Sequence, residues 1–436
     1  MRAALGWLAV AACTAPRAGG GGGGDTVGGG DDSAGGGDTA GGGDTAGGED
    51  TGGGALWSDE VRAWVDGLRA GTVPADEGLL ALSQLTALPL DNGDGTFLVL
   101  AAPGAASSLA LAGPSTAWEP LPMRREGSVW VGALPAPAPA GLAYKLVADG
   151  TSWSADPRSR FAWVDDQGVY SLVRPAGVHI ERWFGVGDEV FRPRTIQILV
   201  PAVAPTHHLY AFDGQNLFDP AAPFGGWALH QSVGPGTLVV AIDNDPENRR
   251  TEYGFSVDAV GGVEQGGRGD AHAAWVDTVV RPAVEARFGP APVAGALGAS
   301  MGGLMAFTLA FSQPSRWAFA GSLSGAFVWG SRERDNETFF DRVGAPNGVT
   351  LYLDSGGGDG GGCVDTDGDG LRDDSGDNAG VALDFYCVNR QLADTLAAAG
   401  WVWGSSLHHW YEPGAPHDES AWRVRVWRPL AVFESL

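Results

Sequence analysis

The chain has 436 residues, enough for two or three domains, and a formal net charge of −25. Seven acids against Arg17 in residues 17–54 and eight against Arg372 in residues 354–377 carry 13 of those charges, so the remainder is only moderately acidic. This balance excludes a nucleic-acid-binding protein, which needs a basic surface, and no apolar run reaches the length of a membrane span.

The first residues read as an address. Arg2 precedes an apolar stretch, Ala3 to Ala12, and Val10-Ala11-Ala12-Cys13 has the form of a bacterial lipobox, in which Cys13 takes the lipid and becomes the mature N-terminus. Residues 1–13 are thus expected to be a lipoprotein signal. Residues 14–55 repeat Gly, Asp and Thr with no core-forming side chains, the composition of a flexible tether. Together they predict an exported bacterial lipoprotein, held by its lipid in the periplasm or at the cell surface.

Residues 56–87 open with helical spacing from Trp57 to Leu68, with Trp57, Val61, Trp64 and Leu68 on one face and Ser58 placed to cap it. From 88 to 176 short alternating runs (Thr96 to Leu100, Ser128 to Val131, Leu142 to Val147) are separated by Gly, Pro, Asn and Asp. That pattern predicts a small immunoglobulin-like β-sandwich with a hairpin turn at Asp149-Gly150.

From 177 to 436 strands alternate with helices. Expected strands are Thr195–Val200, His208–Phe212, Leu238–Asp243, Val293–Gly298, Ala318–Ser322, Val349–Asp354 and Trp403–His409. The clearest helices run from Ala271 to Phe288, interrupted by Pro282, and from Val381 to Ala399. This alternation predicts an α/β fold with a mostly parallel, doubly wound sheet.

Within it, Gly298-Ala299-Ser300-Met301-Gly302 joins an apolar strand to an apolar helix. Strand, G-x-S-x-G, helix is the layout of a nucleophile elbow, where a tight turn lifts a serine hydroxyl above the sheet. Small residues at 298 and 302 let the two backbones approach. The first amides of the new helix face the place where an oxyanion would form, so Met301 is one expected donor. Asp213-Gly214 ends an earlier strand, which makes Gly214 and Gln215 candidates for the second. An elbow serine needs an acid and then a histidine downstream. His417 follows the last strand in a loop and is the expected base, whereas His408 and His409 lie within a strand pattern. The acid should follow strand 349–354. Asp354 closes that strand, and Asp359, beyond a Ser-Gly-Gly-Gly bend that can swing a carboxylate over the sheet, is the preferred choice.

Several stretches in this order carry a resemblance: Asp213 to Phe218; Ile242-Asp243-Asn244 with Arg250-Thr251-Glu252-Tyr253; the elbow; Ser322-Leu323-Ser324; and His417 with Trp422. Over roughly 185–430 they resemble the esterase D family of enterochelin-esterase-like and feruloyl-esterase-like serine hydrolases. Residues 144–156 and the following Pro157 resemble the early-set sandwich modules that precede many such enzymes. The family's usual Gly-Gly before the histidine is Ala415-Pro416 here. The resemblance implies the α/β-hydrolase fold, a serine esterase needing no cofactor for catalysis, and an acid that follows a small-residue turn. It also implies that Arg250, Glu252 and Tyr253 either line or brace the site or form a buried ion pair. The expected substrate is a small-molecule or glycan ester. Carbohydrate-linked or aromatic acyl esters rank ahead of siderophore esters, whose negative charge would call for more basic residues. Acyl transfer by the same triad, or calcium-dependent surface binding on an inactive scaffold, are the rival readings.

The acidic insertion near 360–378 is the last informative stretch. Asp365, Asp367, Asp369 and Asp373 occupy positions 1, 3, 5 and 9 with Gly370 at 6, the spacing of a calcium loop. Position 12 holds Gly376 instead of a bidentate Glu, so the loop resembles those of thrombospondin type 3 and dockerin repeats and predicts a structural calcium ion. Cys363 and Cys387 flank it. With Cys13 lipidated they are an even pair in an oxidising compartment, and a disulfide between them is expected.

Overall fold

The computed structural model describes residues 56–436 apart from 138–139, 261, 332–336, 359–361, 366–367 and 373–383. The signal, Cys13 and the tether lie outside the described residues. Two helices come first, α1 (Asp59–Ala70) and α2 (Ala75–Leu85). Ser58 caps α1 by accepting the Val61 amide at 3.2 Å, and Gly71 ends it in the left-handed conformation. The second helix is not anticipated in the sequence reading.

The strands β1 (Leu90–Asp91), β2 (Thr96–Ala101), β3 (Leu109–Ala112), β4 (Leu121–Pro122), β5 (Arg124–Glu126), β6 (Val129–Pro135), β7 (Leu142–Ala148), β8 (Ser152–Ser154), β9 (Phe161–Asp165) and β10 (Gly168–Val173) follow, all paired antiparallel. A four-stranded layer in the order β1-β2-β6-β5 faces β10-β7-β3-β4. Alternation along the strands sorts their side chains. Phe97, Val99 and Ala101 of β2 pack with Leu109, Leu111, Tyr144 and Leu146 between the layers. Leu98 and Leu100 point the other way and join Val61, Val65, Leu68, Leu79 and Leu82 of the two helices.

The second layer does not stop at β10. Strand β11 (His179–Val186) pairs antiparallel with β9, and through β12 (Arg194–Val200) the sheet runs on into the α/β part. There the order is β12, β14 (Thr237–Ile242), β13 (His207–Phe212), β17 (Val293–Ala299), β18 (Phe319–Leu323), β19 (Thr350–Ser355) and β20 (Leu407–Tyr411). The six strands from β14 to β20 pair in parallel, and β12 joins antiparallel. A separate hairpin, β15 (Val257–Val260) with β16 (Val263–Gly266), stands off the sheet.

The parallel strands are buried on both faces. In β14, Leu238, Val240 and Ile242 enter one core while Val239 and Ala241 enter the other. The first core is covered by helices α4 (Gly269–Trp275), α5 (Arg281–Phe288), α6 (Met301–Ser312) and α7 (Tyr386–Ala398). The second is covered by α8 (Glu419–Arg425) and α9 (Trp427–Phe433), with Trp422, Val426, Leu430 and Phe433 inward. A short helix, α3 (Arg249–Tyr253), precedes the hairpin. This is the α/β-hydrolase fold.

Two helices differ from the sequence reading. The chain stays helical through Pro282, because a π turn over Val276–Val280 widens the backbone just ahead of the ring. The last long helix starts only at Tyr386, and residues 381–383 lie outside the described part.

Candidate active site

Register brings the carboxyl ends of the parallel strands to one edge. Ala299 pairs with Leu323, Leu323 with Asp354, and Ser355 with Tyr411. The loops leaving those residues share one rim, where ligands of open α/β sheets collect.

Ser300 stands between β17 and α6 with φ 55° and ψ −125°. A non-glycine residue adopts this conformation only when its surroundings dictate it. Its amide donates to Leu323 O at 2.9 Å, and its carbonyl accepts the amides of Gly303, Leu304 and Ala326 at 3.0, 3.2 and 3.1 Å. Strand and helix touch so closely that a Cβ on Gly298 would stand 2.2 Å from Gly302 O. One on Gly302 would stand 2.9 Å from Asp213 Oδ2, so the loop after β13 abuts the first turn of α6. Met301, whose amide opens α6, belongs to the orphan donors of a helix start.

On the β13 side Asp213 is left-handed, with φ 60° and ψ 46°, and starts a 3-10 turn over Gly214–Asn216. Its carboxylate accepts two bonds from Arg249 at 2.7 Å each and one from Asn244 at 2.6 Å. Held so, the loop presents Gly214 and Gln215 at the start of a turn, where amides have no partner within it. Gln215 Oε1 accepts the Asn244 amide at 3.2 Å, and Asn216 Nδ2 donates to Glu419 at 3.0 Å. Beneath Gly214 lies Asp243, whose pKa burial pushes up to about 7 against the hydrogen bond from Gln197 and the charge of Arg194.

His417 immediately precedes α8, which Asp418 caps by accepting the Ala421 amide at 3.1 Å. Its loop is lashed to the end of β19: Gly357 donates to Ala415 O at 2.9 Å, and Gly414 donates to Gly357 O at 2.8 Å. The rings of Phe385 and Trp422 stand edge-on to the imidazole, with centroids 5.2 and 5.1 Å away. Nδ1 donates to Asp384 Oδ1 at 2.6 Å. That bond orients the ring and leaves Nε2 as the nitrogen with a free lone pair.

The carboxylate that meets His417 is thus Asp384, whereas the sequence reading prefers Asp359 as the acid. Asp359 itself lies outside the described residues. Asp384 is fully buried just before α7, and it and Phe385 are both left-handed, with φ 59° and 55°. Its other oxygen accepts from the Ser324 hydroxyl at 2.7 Å, from Arg425 at 3.2 Å and from the Gly356 amide. Asp354, the runner-up, is buried below and bound to Arg425 at 3.0 Å and Tyr352 at 3.1 Å. Burial raises its pKa to about 6 although Arg425 pulls it down. The Trp422 indole donates to Ser324 Oγ at 3.0 Å, so one serine bonds both Asp384 and the ring that stands against His417.

The remaining candidates separate. Glu252 and Tyr253 are buried and do not line a cleft. Glu252 pairs with Arg194 at 2.6 Å, and the Tyr253 hydroxyl accepts the Asp213 amide at 3.3 Å. Arg250 is exposed, and its neighbour Arg249 is the residue that grips Asp213. His408 and His409 are both partly buried. Cys363 and Cys387 are joined, with Cα atoms 5.3 Å apart. In the acidic insertion Asp365 accepts the amides of Gly368 and Gly370 at 2.7 and 3.0 Å, and Asp369 accepts that of Leu371 at 2.7 Å. Asp367 and Asp373 lie outside the described residues. Among those described, no three metal-binding side chains converge.

Residues 188–431, more than half of the chain, match the model of the family described as "Putative esterase". The chain belongs to this esterase family and is a carboxylic ester hydrolase. No curated protein matches the sequence. Among solved structures it is similar to the enterobactin esterase FES of Shigella flexneri, at 14% identity and a TM-score of 0.43 over 81% of this chain and 98% of that one. It is also similar to the siderophore hydrolase EstB of Aspergillus nidulans, at 19% identity and a TM-score of 0.40 over 57% and 93%. An IroE-like serine hydrolase of Shewanella oneidensis matches at 16% and 0.43 over 58% and 80%.

Proposed function

We propose that the enzyme hydrolyses its ester through Ser300, His417 and Asp384. The observation that carries this is the buried Asp384 carboxylate 2.6 Å from His417 Nδ1, on the same rim as a serine held at positive φ in a strand-to-helix turn. In this reading His417 Nε2 takes the proton of the Ser300 hydroxyl as Oγ attacks the ester carbonyl. The Met301 amide and that of Gly214 or Gln215 bond the oxyanion. Collapse expels the alcohol, which receives the proton from His417. Water, deprotonated by the same nitrogen, then attacks the acyl-enzyme and releases the acid.

A carbohydrate-linked or aromatic acyl ester is favoured over a polyanionic siderophore. The arginines packed around the site are committed: Arg249 to Asp213, Arg423 to the carbonyls of Phe224 and Gly226, and Arg425 to Asp354 and Asp384. The test is fluorophosphonate labelling of wild type and Ser300→Ala, followed by hydrolysis of acetylated, feruloylated and siderophore esters. Labelling that persists in the variant overturns the nucleophile. Preferential cleavage of the siderophore ester overturns the substrate ranking.

The same reading keeps a structural calcium ion at Asp365, Asp367, Asp369 and Asp373, supported by the bend at Gly368 and Gly370, which are left-handed at φ 80° and 91°. Calorimetric titration with Ca2+ tests it. It also keeps export with a lipid on Cys13, which loss of palmitate labelling in Cys13→Ala would test.

A further inference from the structure

Arg425 ends α8 and is 1% exposed, so its guanidinium is stripped of water. Nε donates to Asp354 Oδ1 at 3.0 Å, and Nη2 donates to Ser324 Oγ at 2.6 Å and Asp384 Oδ2 at 3.2 Å. Nη1 is buried with no partner among the described residues. Such a group is costly: a buried arginine shared by two carboxylates is a poor device for stability, and apolar residues of similar volume often serve as well. Its position suggests another task.

We propose that Arg425 is a positioning residue for catalysis, held by Asp354 and in turn holding Asp384 so that only Oδ1 is left for His417. This rests on the triad reading above. Ser324, Gly356 and Arg425 all bond Oδ2, so the carboxylate cannot rotate without breaking three contacts. Arg425 also sets the charge under the imidazole. With both Asp354 and Asp384 ionised, above the pKa of about 6 to which burial raises Asp354, the three groups leave a net charge of −1 facing His417, where two unscreened carboxylates would leave −2. The other titratable groups that feel the charge of His417 are Asp418 and Glu419 at the start of α8; Asp213, which acts on Glu419, is paired with Arg249, and Tyr352 is bound to Asp354. None of these bonds Asp384.

Charge and position make separable predictions. In Arg425→Gln the imidazolium gains an unbalanced carboxylate, so the acid limb of kcat/KM moves up by about one pH unit. The acid also loses an anchor, and kcat falls about 10- to 100-fold with KM little changed. In Asp354→Asn a negative charge is removed while an oxygen remains for Nε, and the acid limb moves down. Arg425→Lys restores the position of the limb but not the full kcat, because an ammonium cannot span both carboxylates as a planar fork does. A merely structural role would lower the yield of folded enzyme without moving the limb in opposite directions.

The experiment is the pH profile of kcat/KM for wild type and these variants, with folding checked by circular dichroism and Asp384→Asn alongside. Opposite shifts support the proposal. Folded Arg425→Gln and Asp354→Asn with the wild-type limb overturn it, as does a downward shift in Arg425→Gln. If Arg425→Gln does not fold, the sign of the Asp354→Asn shift decides. An inactive Asp384→Asn beside unmoved limbs sinks this inference alone, whereas an active Asp384→Asn sinks the triad as well.

Discussion

At Ser300 a conformation is bound to a purpose. A sparsely populated positive-φ backbone on a non-glycine residue costs about 1–3 kcal/mol, and here the turn and three bonds to its carbonyl enforce it. Ser300→Gly should therefore abolish hydrolysis and raise Tm, whereas Ser300→Ala should abolish it with Tm near wild type; turnover close to normal in either folded variant would remove Ser300 from the chemistry. For the acid, Asp384→Asn should cost roughly 10³- to 10⁴-fold in kcat, and Asp359→Asn little. Single-turnover kinetics on both variants separates them. Asp243 gives a pH dependence. Its folded pKa of about 7 lies above the ordinary carboxyl value, so between about pH 4 and 7 the folded state keeps a proton that the unfolded chain has released. Stability from this group is present at low pH and falls as pH rises through 7. Asp243→Asn should flatten that slope, with Tm above wild type at pH 8 and equal to it near pH 4. Equal Tm differences at both values would show that the residue does not titrate there.

Among elements, the start of α7 is the most heavily braced. Two successive left-handed residues, Asp384 and Phe385, lead into it, and Cys387 in its first turn is tied to Cys363. Asn389 adds bonds to Gly325 O at 2.8 Å and Phe385 O at 2.9 Å, which fasten the helix to the loop after β18. The disulfide closes a loop across 24 positions, worth about 3–4 kcal/mol in the chain-entropy model. Cys387 also lies three residues from Asp384, the partner of His417. Replacing both cysteines with serine should lower Tm and, below the new transition, reduce kcat several-fold while KM holds. A variant with lowered Tm and unchanged kcat would confine the bridge to stability.

For the molecule as a whole, the continuous sheet matters most. Ile180 pairs with Ala162 and Glu181 with Phe161, so the antiparallel layer and the hydrolase share one ladder. The seam is polar as well as hydrogen-bonded: buried Glu181 takes Arg160 from one side at 2.7 Å and Arg287 from the other at 3.3 Å, with the Trp183 indole at 2.8 Å. Removing residues 1–176 would leave β11 as a bare edge and Glu181 short of a cation. The intact protein should unfold in one calorimetric transition from β-layers through hydrolase, and the truncated one should aggregate or melt far lower. Two independent transitions in the full chain would show that the ladder does not couple them.

What the sequence determined by itself is what short-range geometry controls. A two-residue period places Leu238, Val240 and Ile242 opposite Val239 and Ala241. The Gly298 and Gly302 spacing marks a turn where neither backbone has room for a Cβ, and Ser58 three residues before Val61 marks a helix cap. His417 was legible for a related reason, since a histidine in the loop after the final strand, just before an Asp-capped helix, has a place in the chain order. The acid was not. Between Ser355 and Asp384 the chain makes a long acidic excursion with several candidate aspartates, and no local rule says which of them the fold will bury. That choice was made by contacts distant in sequence: Ser324 from the loop after β18, Gly356 after β19, and Arg425 from the end of α8. Likewise Arg249, not Arg250, grips Asp213, because a short helix turns one arginine inward and its neighbour out to solvent. The bonds that decide these points form only after the sheet has brought its strand ends to one rim.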